Sequence, residues 1–185
     1  LLCVDAIQQL GALPFDVQAI GADFVVADGH KWMLGPEGLA LFYCRADLRE
    51  RLRLQQFGWH MIEHRGDYDR LDWKPATDAR RFECGSPNML GIHGLHASLS
   101  LLLEAGIESI ARIILRNTDY LYDLYDQNGF EILSPEAVDQ RSGIASFRVP
   151  NQDMGRLHGA LMQHGVICAL RGGGIRFSPH FHTAS

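Results

Sequence analysis

The sequence predicts an α/β fold that gives way to a smaller α+β unit, and three observations carry that prediction. First, residues 24–27 and 39–43 are short runs of apolar side chains without polar alternation. Such runs read as strands buried on both faces, the pattern of a sheet with helices on either side. Second, residues 89–106 and 107–129 have helical periodicity and each ends in glycine. Third, the remaining stretch alternates strand-like runs with one short helix, so the division falls between residues 106 and 107. A chain of 185 residues with 46% hydrophobic content is long enough to bury a core, as one domain or as pieces of two.

Taken in order, residues 1–4 form a short hydrophobic run ending in Asp5. Residues 6–10 make a helical turn that Gly11 and Pro14 break, and 15–20 are a short amphipathic piece. The strands 24–27 and 39–43 flank a segment built around Lys31. "RADLRERLRLQQ" alternates charge with leucine at helical spacing and reads as a surface helix. Residues 57–90 are polar, aromatic and glycine-rich; so long a loop is either functional or disordered. The helix at 107–129 carries Ile107, Ile110, Ile114, Leu121 and Leu124 at spacings of mostly three or four. Then follow a strand at 143–150, a helix at 154–165 and strands at 166–171 and 175–181.

Composition excludes several classes. The net charge of -5 argues against a nucleic-acid or other polyanion binder. No apolar run approaches a membrane span, and Asp5 interrupts the first hydrophobic run, so the start is no signal peptide. The cysteines (Cys3, Cys44, Cys84, Cys168) have no paired spacing, which suits reduced thiols in a cytoplasmic protein. His93 and His96 share a helix face, but no third ligand is evident and no metal site is read. The chain begins inside a strand-like run and stops abruptly after "IRFSPHFHTAS", as a fragment of a longer enzyme would.

The chemistry centres on Lys31. A lysine amine is a nucleophile only when neutral, and the free side chain titrates near ~10.4, so such a site must desolvate it or set cationic charge nearby. Lys31 follows the end of a buried strand, where ligands gather in α/β sheets, and glycines around it allow close backbone approach. This suits a lysine that forms an imine with a carbonyl. The plain alternative is a lysine in a strand-to-strand turn, with Gly35-Pro36-Glu37-Gly38 as its punctuation. Asp5 also ends a hydrophobic strand, so both residues can face one crevice. A carboxylate there wants a cation, and a protonated pyridine nitrogen is one. The alternative for Asp5 is a helix N-cap.

"VDAIQQLG" followed by "ADFVVADGHKWMLGPEGLALFY" resembles the cofactor-attachment region of the class V aminotransferases. That family includes cysteine desulfurases, isopenicillin N epimerase-like proteins and kynureninases. The likeness continues through "RRFECGSPNMLGIHGLHASL" and "VICALRGGGIRFSPHF", in the family's order and spacing, over nearly the whole chain. It implies the fold-type-I architecture of pyridoxal-phosphate-dependent transferases. Residues 1–106 would be the C-terminal part of the large cofactor domain, and 107–185 a small domain truncated at its end. It implies pyridoxal 5'-phosphate as cofactor, an amino acid as substrate and a homodimer. Residue by residue, Lys31 matches the lysine of the internal aldimine and the later base at Cα. Asp5 matches the partner of the pyridine nitrogen, and Gln8 the donor to the phenolic oxygen. His30 matches a contact to the phosphate. Gly85 and Ser86 match a pair reaching the phosphate of the neighbouring subunit; the alternative for Ser86-Pro87 is an ordinary helix cap. Arg176 matches the arginine that clamps the substrate carboxylate, with Arg171 assisting; the alternative is a surface arginine on a strand.

Three departures qualify the likeness. Asp28 stands where many members have a serine on the phosphate, and a carboxylate there must turn away or pair with His30 or an arginine. The loop that carries the sulfur-accepting cysteine of the desulfurases has shrunk here to Gly172-Gly173-Gly174. Cys168 precedes it in an apolar strand, where burial keeps a thiol inert. The part that would precede Leu1 supplies the ring-stacking residue, so these 185 residues alone are expected to bind the cofactor poorly. The residues do not choose among transamination, elimination and epimerisation. A desulfurase or selenocysteine lyase stays open, as does a non-catalytic relative, against which the joint presence of Lys31, Asp5, Gln8 and Arg176 argues.

Overall fold

The computed structural model describes residues 1–183; the end expected for the second unit, at residue 185, lies outside the described residues. The chain divides into two compact units, Leu1–Gly11 with Phe15–Leu101, and Ala12–Pro14 with the chain from Leu102 onward.

The first unit holds a three-stranded sheet in the order β1 (Cys3–Asp5), β2 (Phe24–Asp28), β3 (Ala40–Cys44). β1 runs parallel to β2, with Asp5 opposite Val26, and β3 returns antiparallel, with Asp28 opposite Ala40. Helix α1 (Met89–Ala105) starts in this unit. One core gathers Ala6, Val25, Ala27, Met33 and Leu95, so α1 covers one face of β2. The expectation that these strands are apolar because both faces are covered is corrected. β2 alternates between buried and open positions, and on its second face Val26 and Phe42 remain 38% and 44% exposed. Phe82 reaches that face, its ring meeting Phe42 edge-on at 5.4 Å.

The second unit holds an antiparallel sheet in the order β4 (Glu131–Ile132), β5 (Ala145–Arg148), β7 (Gly174–Phe177), β6 (Ala169–Arg171). Helix α2 (Ile107–Gln127) packs on β4 and β5, and α3 (Met154–Gln163) packs on β6 and β7. Its core is aromatic. The Phe147 ring lies 4.5 Å from Tyr125, 5.1 Å from Phe130 and 5.9 Å from Phe177. Offset contacts of this kind add to the large area that each ring buries. The strand β4, only two residues long, has no pattern to read from sequence.

Other expectations are also corrected. The segment 45–56 is not an α-helix but a single 3₁₀ stretch, Ala46–Arg51. Arg45, at its start, offers no acceptor to the free N–H groups of a first turn. Its guanidinium pairs instead with Asp23 at 2.7 Å and Asp47 at 2.6 Å. The strands expected at 166–171 and 175–181 are shorter. Extending the register of Ala169 with Arg176 would set Val166 against Pro179, which has no N–H for the ladder. The long segment after residue 56 is folded rather than disordered. Ile62 bridges Pro75, Ala76 N–H donates to Met61 O at 2.8 Å, and both Met61 and Ala76 are fully buried.

Candidate active site

The parallel pairing of β1 and β2 sends both chains out of the same sheet end. Asp5 is the last residue of β1, and Ala6 N–H donates to Val26 O at 2.8 Å, so the chain leaves β1 beside β2. Leu10 N–H then donates to Ala6 O at 3.0 Å, closing a turn that carries Gln8. The Asp5 carboxylate accepts from Ile7 N–H at 3.1 Å and is otherwise open to solvent. The capping alternative for Asp5 is therefore partly realised, on one oxygen, without closing off the group.

β2 ends at Asp28, and the chain turns at once. Gly29 N–H donates to Leu39 O at 2.9 Å, Gly35 N–H to Gly29 O at 2.8 Å and Leu34 N–H to Lys31 O at 3.0 Å. This small closed loop holds Lys31 exposed, with no hydrogen bond or ion pair for its amine among the described residues. Leu34 has φ 57°, an uncommon conformation for a bulky side chain and a local strain of the sort that collects at functional sites. His30 Nδ1 is buried and has no hydrogen-bond partner among the described residues; the Asp28 carboxylate stands 3.6 Å from it. Asp28 thus faces His30, one of the outcomes that its sequence position requires.

Gly11 ties the two segments together. It has φ 91°, and a Cβ there would collide with the backbone of Trp32 and Met33, so the Gln8 turn lies against the residues that follow Lys31. Trp32 Nε1 donates to Gln8 Oε1 at 2.9 Å. The sequence reading gives Trp32, the residue after Lys31, no role. The available signal was that a tryptophan N–H needs an acceptor when buried.

Gly85 and Ser86 line a cavity of about 600 Å³ with Leu39, Leu41 and the first turns of α1. The helix-cap alternative for Ser86 does not hold. Asn88 caps α1, its Oδ1 accepting from Gly91 N–H at 2.9 Å, which leaves the Ser86 hydroxyl for another partner.

In the second unit, Arg176 sits in β7 between Ser146 and Ala169, half-buried. Its Nε is buried without a hydrogen-bond partner among the described residues, unlike a surface arginine. Arg171 ends β6 opposite Gly174 and is exposed. Between them Gly172 and Gly173 have φ 58° and 78°, as a two-residue hairpin of the type I′ kind demands. The shortened loop is therefore a tight hairpin. Cys168 packs against the aromatic core, and burial pushes its thiol above the ordinary range. All four cysteines are free, and among the described residues no group of three His, Cys, Asp or Glu side chains could hold a metal ion. No helix among them is long and apolar enough to cross a membrane.

Comparison with known proteins adds the family. The family model for aminotransferase class-V matches residues 1–180. The chain is 30% identical over 183 residues to an uncharacterized aminotransferase, YcbU, of Bacillus subtilis, matching 99% of this chain and 47% of that protein. It is 31% identical over 205 residues to a probable cysteine desulfurase of Methanothermobacter thermautotrophicus, matching all of this chain and 50% of that protein. The apo structure of a cysteine desulfurase from Thermococcus onnurineus superimposes with a TM-score of 0.88 at 25% identity, over 98% of this chain and 48% of that one. The chain thus spans about half the length of the relatives it matches. The likeness extends to fold-type-I aminotransferases, so the architecture expected from the sequence is the one found. With its lysine loop, its parallel strand pair and a family match over residues 1–180, the chain belongs to the class V aminotransferase family.

Proposed function

We propose that this chain is the lysine-bearing part of a pyridoxal-phosphate-dependent enzyme that acts on an amino acid, by transamination, elimination or epimerisation, as a cytoplasmic homodimer. The observation that carries this reading is the shared exit of Asp5 and the Lys31 loop from one end of two hydrogen-bonded parallel strands. That is where α/β sheets bind ligands.

The donor set at that end fits the cofactor. Asp5 offers a carboxylate for a cationic ring nitrogen, Gln8 an amide N–H for a phenolic oxygen, and Lys31 a free amine for an aldehyde. His30 offers an imidazole to a phosphate, its Nδ1 standing 3.6 Å from the Asp28 carboxylate. Bound, the cofactor would supply an electron-withdrawing ring that stabilises negative charge at the substrate Cα. Asp5 would favour the protonated ring nitrogen through its negative charge. Lys31 would hold the cofactor through its amine and would serve as the base that moves a proton at the substrate Cα. Gly85 and Ser86 offer a backbone N–H and a hydroxyl to a phosphate, in the family's manner that of the partner subunit. Arg176, with Arg171 beside the hairpin, grips the substrate carboxylate, for which a guanidinium's paired donors are suited.

A second reading, cysteine desulfurase, is favoured by the names of several relatives. The Gly172-Gly173 hairpin speaks against persulfide chemistry on this chain, since it has no room for a cysteine-bearing loop. Cys168 is a poor substitute, because its thiol is pushed up by burial. Incubating the full-length protein with cysteine and assaying sulfide and alanine separates the readings. A screen of amino acids that follows the cofactor's visible spectrum tests the first: spectral change with at least one amino acid is expected, and a full-length protein that takes up no cofactor would overturn it.

A further inference from the structure

The residue after Lys31 is Trp32, whose side chain is buried, 5% exposed, with its Nε1 donating to Gln8 Oε1 at 2.9 Å. An amide's oxygen and nitrogen look alike in outline, so the orientation of a glutamine is usually a matter of its neighbours. Here the neighbour decides. An indole nitrogen can only donate, so the atom it meets must be the carbonyl oxygen. The other end of the amide, Nε2 with two N–H groups, is then the end left to meet a ligand. Gly11 holds the two partners in register, since the backbone of Trp32 lies where a Cβ on Gly11 would be.

We propose that Trp32 is a positioning residue whose indole N–H fixes the Gln8 amide so that Nε2 faces the cofactor's phenolic oxygen as a donor. The inference rests on the reading above, in which that cofactor is pyridoxal phosphate. Without the indole N–H, the amide can rotate by half a turn and present its carbonyl oxygen to an anionic oxygen. An attraction then becomes a repulsion, so Trp32 sets the sign of the Gln8 contact and not only its strength.

The test uses the full-length protein reconstituted with pyridoxal phosphate, without substrate, and reads the pH titration of the bound cofactor's visible band. Gln8→Leu removes the donor to the phenolic oxygen, and the titration midpoint should rise by about one pH unit. Trp32→Phe, which keeps a buried ring but no N–H, should move it in the same direction. In the Gln8→Leu background, Trp32→Phe should add nothing, because Trp32 acts through Gln8. Trp32→Leu gives a second variant without the N–H if the first fails to fold. A midpoint unmoved by either Trp32 substitution, or moved equally in both backgrounds, overturns the proposal; so does a Gln8→Leu variant that titrates like the parent. These results leave the functional reading standing. A parent protein that shows no cofactor band defeats the functional reading itself, and the two failures are thereby told apart.

Discussion

The Lys31 loop and the aromatic core of the second unit treat their polar groups differently, although each buries an atom without a hydrogen-bond partner among the described residues, His30 Nδ1 in the loop and the Tyr125 hydroxyl in the core. In the core, Tyr122 donates to Pro135 O at 2.9 Å, and Arg141 lies 4.5 Å over the Tyr122 ring while pairing with Asp119 at 2.7 Å. Even so, burial pushes both tyrosine hydroxyls above their ordinary range, most strongly Tyr125. In the Lys31 loop the backbone N–H groups of Gly29, Leu34 and Gly35 are bonded, but the side chains of Lys31 and His30 are left open. The lysine amine has no partner among the described residues, His30 Nδ1 has no hydrogen bond, and Leu34 is held at a positive φ. The core uses its contacts to stay folded, whereas the loop uses backbone bonds and one tight glycine contact to hold groups ready for something else. What sets the loop apart is the positive φ of Leu34 beside an open lysine at a sheet end, since a buried atom without a partner occurs in the core as well.

The contrast can be broken from the core side first. Phe147→Ala removes a ring that is 4% exposed and touches three other aromatic rings. It should cost about 3–5 kcal/mol in urea or thermal unfolding of the full-length protein. Gly11→Ala sharpens the comparison, because it strikes the loop's mounting. It combines a positive φ with a collision against Trp32 and should cost about 2–3 kcal/mol. It should also weaken cofactor binding, measured by equilibrium titration, which Phe147→Ala should not do at temperatures where the variant is folded.

Smaller effects follow. Cys168 should react slowly with an alkylating agent at neutral pH and faster as pH rises, since only the thiolate attacks and burial raises the thiol. Mass spectrometry of the labelled peptides reads this, and Cys168→Ser should leave turnover within about twofold if no sulfur passes through it. Smallest is Glu63, whose carboxyl is held below its ordinary range by the Lys74 ammonium 2.5 Å away. A depressed carboxyl contributes stability above its unfolded pKa and loses it as pH falls through the folded value. Glu63→Gln should therefore flatten only the acid side of the stability profile, and slightly, as expected for an exposed pair.

Much of this architecture was legible in the residues. Local patterns specify local elements, so the periodicity of 107–129 and the glycine stops marked α1 and α2 closely. The strand ends at Asp5 and Asp28 could be read because apolar runs stop at a carboxylate. What failed depends on partners distant in sequence. The 3₁₀ turn at Ala46–Arg51 replaces a helix because Arg45 is drawn to Asp23, and the cover on one face of β2 follows from where α1 returns. Lys31 and Asp5 can be read from their places at strand ends and Gln8 from the family resemblance, whereas the pairing of Gln8 with Trp32 spans 24 residues and needs the fold. The capping of α1 was decided by Asn88, two residues beyond Ser86, a shift too fine for spacing to settle.

The most direct test is chemical. The full-length protein is incubated with pyridoxal phosphate, reduced with borohydride, digested and read by mass spectrometry, beside a Lys31→Ala variant. A reduced cofactor adduct on the peptide containing Lys31, absent from the variant together with its turnover, is the predicted result. An adduct on some other lysine, or undiminished turnover without Lys31, would contradict the assignment of that residue.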